Sequence, residues 1–346
     1  MIEKVLLVGL VLCHHSRALQ GECEVTGFEM TCRGKNAIHG LPPKKDYSSV
    51  DTLNVHHSAI DLTDDFIPRD MNLSHLTLLN ATDNEIKRIG SRGFDKIRNV
   101  QFLYLSENKI SRSQPDPFQT LTKLELLEME NALDGSGEAK AALLRNLFKS
   151  KNPFTHLSKI ELNRNRLEKI HPNTFCGVQG LRRLELSNNK LESLDFARKC
   201  LGELKALFIG SNLIQEIPKD IWDFLPSLSS LDISNNPINC NCETVRLLRD
   251  DDVVFINQAN TKCASPPELS GTPVFEVPKD YCNGGTAKPS PRGKGSFWQF
   301  VALFFVAIGI LYGYSKYRQK ASGRMSSAPV GYTNLQHEHA VEPEFV

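Results

Sequence analysis

Leucines recur along the chain with a regular spacing. Residues 181–194 read LRRLELSNNKLESL, with leucines at the first, fourth, sixth and eleventh positions and an asparagine at the ninth. This pattern predicts one short strand and one return turn per copy. The second leucine of the pattern recurs as Leu53, Leu79, Leu103, Leu127, Ile160, Leu184, Leu207 and Leu231. Successive copies lie 23 to 26 residues apart, except for one step of 33, so the pattern predicts eight repeats over residues 49–239 with one insertion.

The pattern resembles that of the leucine-rich repeat family. The resemblance implies an α/β solenoid, with a curved parallel sheet on the concave side and irregular or short helical segments on the convex side. A single repeat cannot bury its leucines, so neighbouring repeats must stack. Below, a coil is one repeat, and the open face is the side of the sheet that points away from the core.

Two further columns of residues follow the same period. The asparagine of the pattern should turn inward and bond to the backbone, because a buried amide must find partners. It recurs as Asn84, Asn108, Asn165, Asn189, Asn212 and Asn236. Ten residues after four of these asparagines come Phe94, Phe118, Phe175 and Trp222. We expect these aromatic residues to form a second core column on the convex side.

The first 18 residues predict export from the cytosol. Lys4 precedes an apolar run from Val5 to Cys13, and small residues at Ser16 and Ala18 are typical of a signal peptide cleaved near Ala18. The alternative, an N-terminal membrane anchor, is disfavoured because the run is only nine residues long. Removal of Cys13 leaves eight cysteines, and an even number in an exported chain favours disulfides over metal ligands.

The spacing of two cysteines predicts a disulfide between adjacent coils. Cys176 and Cys200 each lie 11 residues after the asparagine of their repeat, so they occupy the same place in neighbouring coils. Strands are about 5 Å apart, and a disulfide joins Cα atoms about 4.4 to 6.8 Å apart. The alternative is two buried free thiols, which export makes less favourable.

The remaining cysteines resemble the end caps of this family. Residues 19–48 hold Cys23 and Cys32 in a strand-turn-strand pattern and resemble a reduced N-terminal cap with one disulfide, which would cover the open end of the solenoid. Residues 240–283 begin with a Cys-x-Cys at a helix start and resemble the C-terminal cap. Its four cysteines allow three pairings. The family implies Cys240 with Cys263 and Cys242 with Cys282.

The insertion between the fourth and fifth repeats runs from Asp134 to Phe154. Residues 139–148 have helical spacing, and the flanking Gly, Lys and Pro residues indicate loops. We expect a short helix on the rim or the convex side, and a tolerated surface insertion is favoured over a dedicated binding element.

The end of the chain predicts a membrane anchor. A Gly, Pro and Lys linker at 284–296 precedes 18 residues without formal charge at 297–314, just enough for a membrane helix. Together with the signal peptide, this predicts a single-pass type I protein of the plasma membrane, with its N-terminus outside and a cytoplasmic tail at 315–346. In the tail, Tyr332 and Leu335 form a Tyr-x-x-Leu motif that resembles a sorting signal or, after phosphorylation, a docking site for a cytoplasmic adaptor.

Composition and motifs argue against catalysis and nucleic-acid binding. The net charge of +1 gives no basic footprint for nucleic acid. The chain has no HExxH, GxSxG or CxxC sequence, so we expect no enzyme and no cofactor. His56 and His57, or His337 and His339, lack a third ligand nearby and make a poor metal site.

The open face carries the candidate binding residues. Residues on either side of each marker leucine should point outward. The column before the marker reads Thr52, Leu78, Phe102, Leu126, Lys159, Arg183, Ala206 and Ser230, and the column after it reads Asn54, Asn80, Tyr104, Glu128, Glu161, Glu185, Phe208 and Asp232. Leu78, Phe102, Leu126 and Tyr104 thus form an apolar cluster, the apolar patch, which is typical of a protein interface.

Two alternatives to that interpretation remain open. The inserted segment could cover the apolar patch. The block of Lys159, Arg183, Glu161 and Glu185 beside it could be the rim of an interface or a charge ladder on a solvated sheet.

Two sequons predict N-glycosylation, at Asn72 and at Asn80. Asn72 falls in a turn and is suited to modification. Asn80 points to the open face, where a glycan would crowd the apolar patch.

These features predict a cell-surface protein that binds an extracellular or membrane protein ligand through its ectodomain, in cell adhesion or in receptor or co-receptor signalling. The alternative is an accessory subunit of a membrane channel or receptor, acting through the membrane helix and the basic segment Lys316–Arg324. Both rest on analogy with the family, since a fold does not fix a function.

Overall fold

The computed structural model describes residues 22–283, apart from 36, 41–45, 59–60, 65, 150–152 and 250–251. The predicted signal peptide, linker, membrane helix and tail, with Tyr332 and Leu335, therefore lie outside the described residues. Within the described ranges, no helix is both long enough and apolar enough to cross a membrane.

An eleven-stranded sheet runs through the described chain. Its repeat strands are β3 (Thr52–His56), β4 (Leu78–Asn80), β6 (Phe102–Tyr104), β8 (Leu126–Glu128), β9 (Lys159–Glu161), β10 (Arg183–Glu185), β11 (Ala206–Phe208) and β12 (Ser230–Asp232). They pair in parallel, and each marker residue lies opposite the next marker. The markers are at most 2% exposed, so the period of the leucines sets the register of the sheet.

Each end of the sheet is closed by a disulfide-bonded segment. At the N-terminal end, β1 (Glu22–Thr26) and β2 (Glu29–Arg33) form an antiparallel hairpin that Cys23 and Cys32 cross-link, and β2 pairs in parallel with β3. A 3-10 turn follows at Ala37–Gly40. The antiparallel hairpin makes the sheet mixed at this end.

The C-terminal segment contributes another strand to the sheet. Strand β14 (Val254–Ile256) pairs in parallel with β12, while β13 (Ile238–Asn239) pairs with β15 (Cys263–Ser265). Its remaining elements are helix α3 (Cys242–Leu247) and 3-10 turns at Gln258–Asn260, Pro267–Leu269, Val274–Glu276 and Tyr281–Asn283. Disulfides join Cys240 to Cys263 and Cys242 to Cys282.

The asparagine column forms a ladder of hydrogen bonds between coils. Each side-chain nitrogen donates to a carbonyl of the preceding coil at 2.7 to 3.0 Å. Each side-chain oxygen accepts from a backbone N–H of that coil at 2.8 to 3.1 Å. The amides are buried, so these bonds satisfy the turn and join each coil that carries the asparagine to the coil before it.

The convex side holds the aromatic column, a few short elements and one disulfide. Phe94, Phe118 and Phe175 are at most 1% exposed. Trp222 is only partly buried and lies in the short helix α2 (Ile221–Phe224). Cys176 and Cys200 form a disulfide between adjacent coils, with their Cα atoms 4.3 Å apart.

The inserted segment forms the expected short helix on the convex side, and the buried face of that helix belongs to the core. Helix α1 (Gly137–Phe148) begins after Ser136, whose side chain accepts from the Ala139 N–H. It contacts β7 (Arg112–Ser113), which pairs with β5 (Arg88–Ile89). Phe148 is fully buried, with its ring 5.3 Å from that of Phe175. The helix therefore supplies the aromatic residue of its coil.

Candidate protein-binding surface

The apolar patch is contiguous across three strands of the open face. Leu78 lies opposite Phe102, and Phe102 lies opposite Leu126. Neighbouring strands are about 4.8 Å apart, so the three side chains are lateral neighbours. All three are partly exposed, while the marker leucines between the columns are buried. Helix α1 buries Phe148 in the convex column and contacts β7. These contacts of the described part of the insertion do not cover the apolar patch.

Tyr104 joins the apolar patch to a row of carboxylates. It lies opposite Asn80 on one side and Glu128 on the other, and Glu128 lies opposite Glu161. Partial burial raises the pKa of the Tyr104 phenol, and the negative charge of Glu128 adds to that effect. Tyr104 is therefore a neutral aromatic side chain at the border between apolar and acidic parts of the face.

Two of the carboxylates on this face are neutralised within their own strand. Lys159 Nζ lies 2.7 Å from Glu161 Oε1 in β9, and Arg183 Nε lies 2.8 Å from Glu185 Oε1 in β10. The Arg183 guanidinium also stacks over the Phe208 ring, 4.3 Å from its centroid. Each cation occupies the position before the marker and each carboxylate the position after it. The ion pairs of these four residues thus lie within each strand, whereas the ladder left open by the sequence would run across strands.

Glu128 differs from these carboxylates. Its Oε1 accepts a hydrogen bond of 2.7 Å from the Ser106 hydroxyl, and among the described residues no cation lies within ion-pairing distance. The nearby Glu130 pairs with Arg164 at 3.1 Å. Partial burial raises the pKa of Glu128, and the charges of Glu161 and Glu130 raise it further, against the opposing effects of Ser106 and Lys159.

Both sequon asparagines have a similar local geometry. Asn72 is exposed, and its Oδ1 accepts from the Ser74 N–H at 3.1 Å. Asn80 is half-buried, and its Oδ1 accepts from the Thr82 N–H at 3.0 Å. The register places Asn80 beside Tyr104, at the edge of the apolar patch.

Sequence reasoning missed three features of this face. Ser106 was not recognised as a partner of Glu128, because hydrogen bonding between neighbouring coils depends on side-chain rotamers. The stacking of Arg183 on Phe208 was visible only as adjacent register positions. Val254, 67% exposed on β14, extends the column of residues that precede the markers. The C-terminal segment carries no leucine pattern, so the sequence gives no register for this residue.

A polar cavity of about 780 Å³ opens at the turn edge, beside the start of α1. Lys140, buried in α1, donates from Nζ to the Asn165 carbonyl at 2.8 Å. Burial lowers the pKa of Lys140, and the charge of Arg166 adds to this. A side chain at Gly137 would collide with the carboxyl group of Glu168, which thus already occupies the space at the first turn of the helix. Within the described residues, no group of three His, Cys, Asp or Glu is arranged to hold a metal ion.

A parallel sheet with one strand per coil, an asparagine ladder and disulfide-closed ends defines a repeat solenoid with one open face. A family model described as leucine rich repeat matches residues 74–132 and 155–198, and one described as leucine rich repeat C-terminal domain matches residues 260–282. The chain therefore contains leucine rich repeats at residues 74–132 and 155–198, and residues 260–282 are similar to the C-terminal domain of leucine-rich repeat proteins.

Similar proteins are known among curated sequences and solved structures. The chain is 24% identical to the mouse CD180 antigen over 285 residues. The aligned region covers 75% of this chain and 42% of that protein. The crystal structure of human 5T4 (Wnt-activated inhibitory factor 1, trophoblast glycoprotein) has a TM-score of 0.61 at 20% identity and covers 76% of this chain and 98% of that one.

A crystal structure of the mouse RP105/MD-1 complex has a TM-score of 0.52 at 21% identity and covers 72% of this chain and 45% of that one. At these identities both solved structures show a shared fold. The chain spans less than half the length of the first curated relatives that it matches.

Proposed function

We propose that this chain is a cell-surface leucine-rich repeat protein that binds a protein partner through its open face, in cell adhesion or in receptor or co-receptor signalling. The observation that carries the proposal is the apolar patch, in which Leu78, Phe102 and Leu126 lie side by side and partly exposed on adjacent strands. Tyr104 and paired charges border it, as in interfaces whose apolar centre is surrounded by a polar rim.

Similar proteins support a binding role rather than a catalytic one. The mouse CD180 antigen and the proteins of the solved structures share the repeat fold, and one of those structures is a complex, that of mouse RP105 with MD-1. We include in the proposal the type I topology at the plasma membrane, glycans at Asn72 and Asn80, and an adaptor site at Tyr332 and Leu335.

Proximity labelling and cross-linking on intact cells test the proposal. Cells expressing the wild-type chain are compared with cells expressing Phe102→Glu or Tyr104→Ala at matched surface levels. Phe102→Glu introduces a charge at the centre of the apolar patch, and we expect it to remove at least one captured partner. Partners that persist with both variants would exclude this patch as the binding site.

That second outcome would favour the accessory-subunit role. Replacement of residues 297–346 by an unrelated anchor then separates the two functions. A protein that acts through its open face keeps its partners after the replacement. An accessory subunit that acts through its membrane helix and its basic segment at 316–324 loses its effect on the associated channel or receptor.

A further inference from the structure

The strand of the fourth repeat breaks the charge pattern of its neighbours. In β9 and β10, a cation two residues earlier in the same strand neutralises Glu161 and Glu185. In β8 the equivalent position is Leu126, so Glu128 receives no cation from its own strand. Its Oε1 accepts from Ser106, and its Oε2 makes no hydrogen bond to a described residue.

Cations on the neighbouring strands and turns are already engaged. Lys159 pairs with Glu161 across the marker of β9, and Arg164 pairs with Glu130 beyond the end of β8. A half-buried carboxylate without a counter-ion is unfavourable, because burial removes hydration that no opposite charge replaces. A cation from outside the chain would supply the missing interaction.

We propose that the protein partner inserts a lysine or arginine side chain between Tyr104 and Glu128, while apolar residues of the same segment cover Leu78, Phe102 and Leu126. This inference rests on the proposed function and specifies the chemistry of the partner. Charge complementarity to Glu128 and Glu161 selects the cation, and the Tyr104 ring offers it a neighbouring aromatic surface. The adjoining apolar patch requires apolar neighbours in the same segment.

Affinity for such a segment should depend on pH. The groups that face Glu128 are Tyr104, Glu130, Glu161 and Lys159, together with the Ser106 hydroxyl. Because the pKa of Glu128 is raised in the free protein, the carboxylate becomes protonated at a higher pH than an exposed glutamate. A bound cation requires the ionised form, so affinity should fall as the pH is lowered through this raised pKa.

Selection from a random peptide library displayed on phage, with the purified full-length chain immobilised at neutral pH, tests the inference. We expect enriched peptides to carry a lysine or arginine close to leucine or aromatic residues. Glu128→Gln, which keeps the size of the side chain and removes its charge, should weaken their binding at least about tenfold. Glu192→Gln is the matched control, since Glu192 is exposed in the coil beyond Asn189 and away from the open face.

The outcomes separate this inference from the proposed function. Enriched peptides that lack a basic residue but lose binding with Phe102→Glu would overturn the role of Glu128 and leave open-face recognition intact. Peptides insensitive to Phe102→Glu, or no enrichment at all, would count against both. If Glu128→Gln folds poorly, the wild-type pH profile decides: affinity for a basic peptide that stays constant from neutral to acid pH contradicts the inference.

Discussion

The coil that follows Leu184 and the coil that follows Leu127 meet the same structural requirements with different groups. In the first, Asn189 bonds to the preceding coil through both its oxygen and its nitrogen. In the second, the equivalent position is Ala132, which has no side-chain hydrogen-bonding group. The Ile110 N–H, the counterpart of the Ile86 N–H that Asn108 accepts, donates instead to the Ala132 carbonyl at 2.8 Å. Asn165 of the next coil accepts from the N–H groups of both Ala132 and Leu133.

The convex side of the interrupted coil can be compared with those of the coils that supply Phe118 and Phe175. A regular coil supplies its aromatic residue from an irregular turn, as at Phe118 and Phe175. The interrupted coil supplies Phe148 from helix α1. The comparison shows that a phenylalanine can reach the convex column either from an irregular turn or from a helix.

The largest expected effect follows from the aromatic position. If Phe148 is equivalent to the phenylalanines of regular coils, then Phe148→Ala should cost about 4 kcal/mol of unfolding free energy, as should Phe118→Ala, because each leaves a large cavity in the core. Urea unfolding followed by circular dichroism measures both. A cost below about 1 kcal/mol for Phe148→Ala alone would mean that the helix is an appendage to the core.

A second test compares two asparagines of the ladder. Asn165→Ala would leave two buried N–H groups and the Met129 carbonyl without this partner, whereas Asn189→Ala would leave one buried N–H group, that of Leu167, and the Leu162 carbonyl. We expect a loss of about 3 kcal/mol for the first and about 2 kcal/mol for the second. Equal losses in the same urea titrations would show that the second N–H group accepted by Asn165 adds nothing to stability.

The open face should tolerate change better than either coil interior. Phe102→Glu alters a partly exposed side chain and creates no core cavity, so we expect it to change the unfolding free energy by about 1 kcal/mol or less. Binding measurements with this variant then report on recognition. A loss comparable to that of Phe118→Ala would assign Phe102 to the core.

The smallest expected effect concerns two glutamates: Glu128 of the interrupted coil, which has no ion pair among the described residues, and Glu185 of the regular coil, which pairs with Arg183. The pKa of Glu128 is raised on folding, so its contribution to stability is fully present below the unfolded pKa and is lost as the pH rises through the folded pKa. Glu128→Gln should therefore gain stability relative to wild type on going from acid to neutral pH.

Glu185→Gln provides the comparison, because it removes an ion pair with Arg183 at neutral pH. We expect a slight loss of stability, below about 1 kcal/mol. Thermal unfolding of both variants at acid and neutral pH measures the two trends. Parallel trends would remove the distinction between the two carboxylates.

The regular coils were predictable from sequence because their leucines repeat at nearly constant intervals. The interval sets the register of the strands, and alternation within a strand then orders Leu78, Phe102 and Leu126 in one column. The depth to which one face of α1 is buried was not predictable. Its spacing indicates a helix, but a helix that contains Lys140 reads as a surface element unless the carbonyl that receives the lysine is known.

Other parts of the candidate site depend on contacts between distant residues. The C-terminal strand β14 has no leucine pattern, so its place in the sheet follows only from its pairing with β12. Glu128 has no ion pair among the described residues because Lys159 pairs with Glu161 and Arg164 pairs with Glu130. The residue types along a column do not determine which carboxylate each cation pairs with.

The disulfide between Cys176 and Cys200 spans 24 residues, the length of one coil. Arg198 and Lys199 are exposed within this span and are accessible to trypsin. A cut after either residue would leave the two parts of the chain covalently joined. The nicked protein would migrate as a single band on a non-reducing gel and separate into two bands only after reduction. The disulfide would therefore keep both parts of this coil in one molecule after such a cut.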